Sequence, residues 1–216
     1  VAPRWLPRAL RRDLLAIYGF ARLADQLGDD APGDRLAALD ALEAELVRGF
    51  EGRASLRLLI EVAATARARG LPREPFLRLI EANRRDQLVT RYATWSELER
   101  YCTLSANPVG ELVLGLFGAA TPERIALSDA VCTALQLVEH CQDVAEDRGR
   151  GRVYLPADER ARFGVAEAHL TAAPAPEPLR RLLAFQSKRA RALLERGEPL
   201  LASLPRVARV CIAGYA

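Results

Sequence analysis

The stretch LRRDLLAIYGFARLADQLGD, residues 10–29, decides the fold. Leu10, Leu14, Ile17, Ala21 and Ala24 recur at three- and four-residue spacing, the period of one face of an α-helix. Working outward, the same period returns at Leu36, Leu39, Leu42, Leu46 and Phe50. It recurs at Leu56, Leu59, Ile60 and Ala63, and again at Phe76, Leu77, Ile80 and Ala82. Breaks fall at Asp30–Gly33, Gly49–Gly52 and Gly70–Pro72, where glycine and proline end one helix before the next begins. A segment from Ser96 to about Gly118 holds Pro108, which is expected to kink or divide it. Thr121-Pro122 reads as an N-cap with proline in the first turn, opening a long helix to about Asp147. A short helix near Asp158, a linker with Pro174, Pro176 and Pro178, and a final helix through Leu201 complete the chain. No alternating run has strand character. The expectation is one all-α domain over residues 1–216, a helical bundle with a central cavity.

Composition narrows the function. Half of the 216 residues are apolar and 27% are charged, the balance of a folded globular chain. The 31 basic and 28 acidic side chains leave a net charge of +3, too small to mark a nucleic-acid protein. Lys188 is the one lysine and methionine is absent, the signature of a GC-rich genome; a chain that opens on Val1 is read as incomplete. Cys102, Cys132, Cys141 and Cys211 lack C-x-x-C spacing and are read as reduced thiols of a cytoplasmic protein. The most apolar run, Val109–Ala120, contains Glu111 and is too short to span a bilayer, which leaves contact with the inner face of the cell membrane open.

The chemistry lies in two stripes. Tyr18, Arg22, Asp25 and Asp29 stand at i, i+4, i+7 and i+11 on the first helix, a narrow line along one side. Gln136, Glu139, Asp143 and Asp147 make a second line on the long helix. One such stripe is ordinarily a solvated helix face. Two of them, on helices that can face each other across a bundle, put carboxylates where a divalent cation would relieve their repulsion. Mg²⁺ suits such oxygen donors and keeps room for substrate phosphates. Zinc is a poor fit, because His140, His169 and the cysteines have no ligand spacing. The loop Arg148-Gly-Arg-Gly-Arg152 follows at once, offering Arg148, Arg150 and Arg152 to an anion. Diphosphate held between acid stripes implies a reaction in which diphosphate leaves and a carbocation forms in a pocket that excludes stray water. Tyr101, Ser105, Val109 and Leu112 are candidates for its walls. His140 is read as a packed or surface histidine.

Four blocks in order, Tyr18–Asp29, Tyr101–Gly110, Gln142–Asp147 and Gly151–Pro156, resemble those of the squalene/phytoene synthase family, the head-to-head prenyl synthases. The Ser-Ala-Asn-Pro-Val-Gly run at 105–110 and the Gln before Asp143 most resemble the bacterial hydroxysqualene synthases. The resemblance implies an all-α isoprenoid-synthase fold, Mg²⁺ and a prenyl diphosphate substrate, presqualene or farnesyl diphosphate. It implies that Asp25 and Asp29 form the first metal-binding motif and Asp143 and Asp147 the second. With Tyr101, these acids would be the catalytic set. Tyr18, Arg22, Arg152 and Tyr154 match residues that contact or cover diphosphate, Tyr101, Gly110 and Gln136 match the substrate cavity, and Asp86 matches a further family acid. Where the family usually has Asn as a metal ligand, this chain has Glu139, an oxygen ligand with an added negative charge. Against the family pattern the chain is expected to lack the first N-terminal residues and the last C-terminal helices. The reaction implied is conversion of presqualene diphosphate to hydroxysqualene by ionisation and water capture. Condensation of two prenyl diphosphates to presqualene diphosphate, squalene or phytoene is one alternative, and a non-catalytic binding or assembly role is another.

Overall fold

Helix follows helix because caps and breakers fall where the apolar period stops. In a computed structural model that describes residues 5–214, α1 spans Arg8–Asp29, α2 Arg35–Phe50, α3 Arg57–Arg69 and α4 Glu74–Leu88. Asp34 caps α2 by accepting from the Ala37 N–H, and Gly70 ends α3 in the left-handed conformation (φ 66°), which a side chain would resist. Pro108 divides the next segment into α5 (Trp95–Ser105) and α6 (Asn107–Leu116). Thr121 caps α7 (Pro122–Gln142) at the Arg124 N–H. There follow α8 (Val144–Gly149), α9 (Ala157–Phe163), a 3₁₀ turn (Glu167–Thr171), α10 (Glu177–Gly197), α11 (Pro199–Ser203) and α12 (Arg206–Ala213). Among the described residues the nearest approach to β-structure is one isolated bridge, Arg91 with Val153.

Of the four apolar clusters among the described residues, two bear on the site. The first joins α1 to α4 and α6 around Phe20 and Phe76, both wholly buried, with ring centroids 5.1 Å apart and edges to faces. Asp13, buried on α1, receives Arg69 of α3 at 2.6 Å and so ties those two helices by charge. The second core packs α4, α5, α7 and α10 around Tyr92, Tyr101, Leu137, Tyr154 and Leu193. Gly197 lets α10 close on α7, since a Cβ there would overlap Val131.

Several expectations change. The long helix breaks at Asp143 (φ −97°, ψ 13°), so Asp147 belongs to α8. On α3 the buried face is Leu59, Val62, Ala63 and Ala66, while Leu56 and Ile60 are half exposed. The helix expected to run through Leu201 stops at Gly197, and two short helices follow. Among the described residues no helix is long and apolar enough to cross a membrane, and the four cysteines are free thiols.

Candidate active site

The site is assembled from α1, α4, α5, α7, α8 and the loop after α8, around a cavity of about 250 Å³. α1 brings Asp25 and Asp29 to its wall one turn apart. Between them, Gly28 has no side chain where one would overlap Asn83, so α4 can lie close. Asn83 then donates to Asp25 Oδ1 at 3.3 Å and to the Leu79 carbonyl at 3.1 Å, and Gln87 donates to the Gly28 carbonyl at 2.9 Å. One turn along α4, Asp86 accepts the Tyr101 hydroxyl at 2.6 Å and the Tyr154 hydroxyl at 3.0 Å. Burial lifts the Asp86 carboxyl to about 6 despite both bonds, and burial holds Tyr101 as a protonated donor well above its ordinary range.

The second stripe meets the first. Gln136, Glu139 and Asp143 from α7 and Asp147 from α8 line the same cavity as Asp25 and Asp29. Electrostatics register the approach. Glu139 is raised by burial, by Asp143 and by Asp25, a residue on the opposite stripe. Asp147 rises to about 6 through burial and Asp143, with Arg150 and Arg152 pulling the other way. Asp25 is raised by burial and then by Asp29, against the opposing Asn83 bond and Arg22 charge. Carboxylates outnumber arginines around this cavity.

The loop supplies part of the deficit. Arg152 donates to Asp29 Oδ1 at 2.7 Å, and Arg150 stands 3.9 Å from Asp29 and 2.9 Å from Glu146. Gly151 turns the chain between them at φ 84°. The loop is pinned where Val153 donates to the Thr90 carbonyl at 2.8 Å and Ala157 to the Tyr92 carbonyl at 2.9 Å. Arg148, expected beside these arginines, does not reach the cavity and pairs instead with Glu167 at 3.1 Å.

Of the residues singled out from sequence, Asp25, Asp29, Tyr101, Gln136, Glu139, Asp143, Asp147, Arg152 and Tyr154 share the cavity, with Asp86 and Ser105. Tyr18 and Arg22 do not line it. They continue the Asp25–Asp29 stripe onto exposed surface, Tyr18 at 47% exposure. Gly110 does not line it either; it seats α6 on α7, where a Cβ would overlap Ser128 and crowd Cys132. Val109 is exposed and Leu112 lies in the first core. Two polar lining residues carried no assigned role in the sequence reading. Asn83 shows itself only by its spacing to Asp86 and Gln87 on one face of α4. His140, read as packed or surface, is buried and lines the cavity, stacked on Tyr154 at 3.9 Å and 12°. Burial lowers it to about 3, so it is neutral.

Among the described residues no three Asp, Glu, His or Cys side chains already form a cage for a metal ion. Six carboxylates nonetheless line the cavity, and the five other than Asp86, which accepts two tyrosine hydroxyls, fit a hard ion completed by waters and phosphate oxygens rather than by protein alone.

The family model described as squalene/phytoene synthase matches residues 1–216. The hydroxysqualene synthase of Sinorhizobium fredii is 35% identical over 205 residues, which cover 93% of this chain and 69% of that protein. The 15-cis-phytoene synthase of Synechococcus elongatus is 33% identical over 218 residues, 94% of this chain and 71% of its own. The crystal structure of squalene synthase HpnC from Alicyclobacillus acidocaldarius superposes with a TM-score of 0.88 at 47% identity, covering 94% of this chain and 78% of that one.

Proposed function

The chain belongs to the squalene/phytoene synthase family, and on that premise we propose that it is a Mg²⁺-dependent hydroxysqualene synthase acting on presqualene diphosphate. The observation that carries this reading is the convergence of two aspartate pairs, 25/29 and 143/147, on one cavity beside Arg150 and Arg152. Such a cavity suits a diphosphate together with its cations. Asp25, Asp29, Glu139, Asp143 and Asp147 would hold the Mg²⁺. When bound, the ion neutralises charge that develops on a departing phosphate oxygen.

This chain's own groups do the rest. Arg152 and Arg150, both drawn toward Asp29, offer N–H donors to phosphate from the loop side. The Tyr101 and Tyr154 hydroxyls keep their protons, donate them to Asp86 and line the cavity as neutral groups. Because these groups are fixed before the ligand arrives, little reorganisation is needed when charge builds on the leaving group. The enclosed space matches the polar head of the substrate.

Incubation with presqualene diphosphate and Mg²⁺, with product analysis, tests the reading. Hydroxysqualene is expected, with at least a hundredfold loss in Asp143→Ala, on the order seen for loss of a charge-stabilising group. Phytoene synthases among the relatives make condensation the competing outcome, so farnesyl and geranylgeranyl diphosphate are run in parallel. A product formed from those alone, or undiminished turnover by Asp143→Ala, would refute it.

A further inference from the structure

Most polar groups of the cavity are charged; Ser105, Gln136 and His140 are among those that are not. Ser105 closes α5 one turn after Tyr101; its Oγ is buried and has no hydrogen-bond partner. Gln136 and His140 stand one turn apart on α7, with their Nε2 atoms 3.4 Å apart. All three line the cavity. The Tyr101 and His140 rings, 6.3 Å apart, bring the end of α5 up to this part of α7, and the stack on Tyr154 fixes the imidazole plane.

A buried hydroxyl without a partner costs about 1–3 kcal/mol unless water reaches it. Ordered water settles where a roomy polar pocket offers it two to four partners, each water occupying ~30 Å³. A cavity of about 250 Å³ has that room, and the unsatisfied Ser105, the Gln136 amide and the His140 imidazole all belong to its lining.

We propose that Ser105, Gln136 and His140 hold the water molecule that captures the carbocation, and so decide that the product is an alcohol. The inference rests on the reaction proposed above and adds the residues that set its outcome. The carbon–oxygen bond to diphosphate breaks with its electron pair staying on the diphosphate. A lone pair of the held water then forms the new carbon–oxygen bond. The resulting oxonium sheds one proton, which ends on the released diphosphate. Substrate and water become alcohol and hydrogen diphosphate, with no oxidant or reductant. With apolar wall in place of the three groups, the same cation would lose a carbon-bound proton and leave as a hydrocarbon.

The test uses the full chain with presqualene diphosphate and Mg²⁺, reading the alcohol share of total product. Ser105→Val is expected to lower that share at least threefold in favour of hydrocarbon, and Ser105→Thr, which restores a hydroxyl, to recover it. If Ser105→Val does not fold, by circular dichroism, Ser105→Ala is read in the same way. An unchanged share in the Ser105 variant and in His140→Phe overturns the proposal. So does a crystal structure of the unliganded protein with no water within about 3 Å of Ser105 Oγ, the reach of a hydrogen bond. A wild-type chain that releases no diphosphate refutes the parent reaction and takes this proposal with it. One that releases diphosphate and gives only hydrocarbon refutes the water site and the alcohol product, and leaves the ionisation of diphosphate standing.

Discussion

Placing a single methyl group on Gly28 tests the seam that positions Asp25. In Gly28→Ala the new Cβ overlaps Asn83 Oδ1 and stands 3.0 Å from its Cγ and 3.1 Å from its Cβ. Asn83 is short and buried, and its Cβ is fixed by the α4 backbone, so rotating the amide alone does not relieve the crowding. Alanine in mid-helix gains about 1 kcal/mol over glycine. Against this stand about 1–3 kcal/mol for overpacking. Loss of the Asn83 bonds to Asp25 and Leu79 adds about 1–3 kcal/mol, the cost of an unpaired buried amide. Subtracting the gain from the two costs leaves a net destabilisation of about 1–5 kcal/mol. At roughly 2–4 °C per kcal/mol for a chain of this size, Tm falls by about 2–20 °C. Thermal unfolding followed by circular dichroism measures it, and a double-mutant cycle isolates the cause. In an Asn83→Ala background the overlap with the amide is gone and only the 3.1 Å Cβ contact remains, so Gly28→Ala should cost markedly less than in wild type. A higher Tm for Gly28→Ala in the wild-type background would refute the argument.

The remaining predictions concern the core, a buried acid and the anion. Phe20→Ala removes a wholly buried ring packed edge-on against Phe76 and should cost about 3–5 kcal/mol in urea unfolding. Asp86 is raised from 3.8 to about 6, so its contribution favours the folded state below the lower value and is lost as pH rises through the higher one. Between pH 4 and 7, without metal, wild type should lose on the order of 2–3 kcal/mol relative to Asp86→Asn; parallel pH-stability curves would contradict this. Calorimetric titration with inorganic diphosphate and Mg²⁺ should show binding weakened at least tenfold in Arg152→Gln, and equal affinity would remove that side chain from anion binding.

The bundle is legible in the sequence because its helices bury one face each and carry their own punctuation, as Asp34, Gly70, Pro108 and Thr121 show. The stripes are legible for the same reason, since helical phase alone puts Asp25 with Asp29. Other features lie beyond single-helix reasoning. The break at Asp143 has no proline or glycine, and the Asp143 N–H still reaches the Glu139 carbonyl at 2.9 Å, so nothing local announces it. Leu56 and Ile60 are as apolar as the buried Leu59, and only packing against α1 chooses between them. Arg148 is turned outward by Glu167, nineteen positions later. Gly110 fits a cavity wall or a helix seam equally well by residue type, and contact with Ser128 and Cys132 makes it a seam.

The Arg152–Asp29 bond joins positions 123 residues apart, and the Tyr154–Asp86 bond joins positions 68 apart. Closing such long chain segments is entropically unfavourable until the helices between them have packed. High contact order of this kind defers pairing to the late stages of folding. The cavity therefore reports on the whole chain, because a partly folded intermediate can own every helix and still lack a place for an anion.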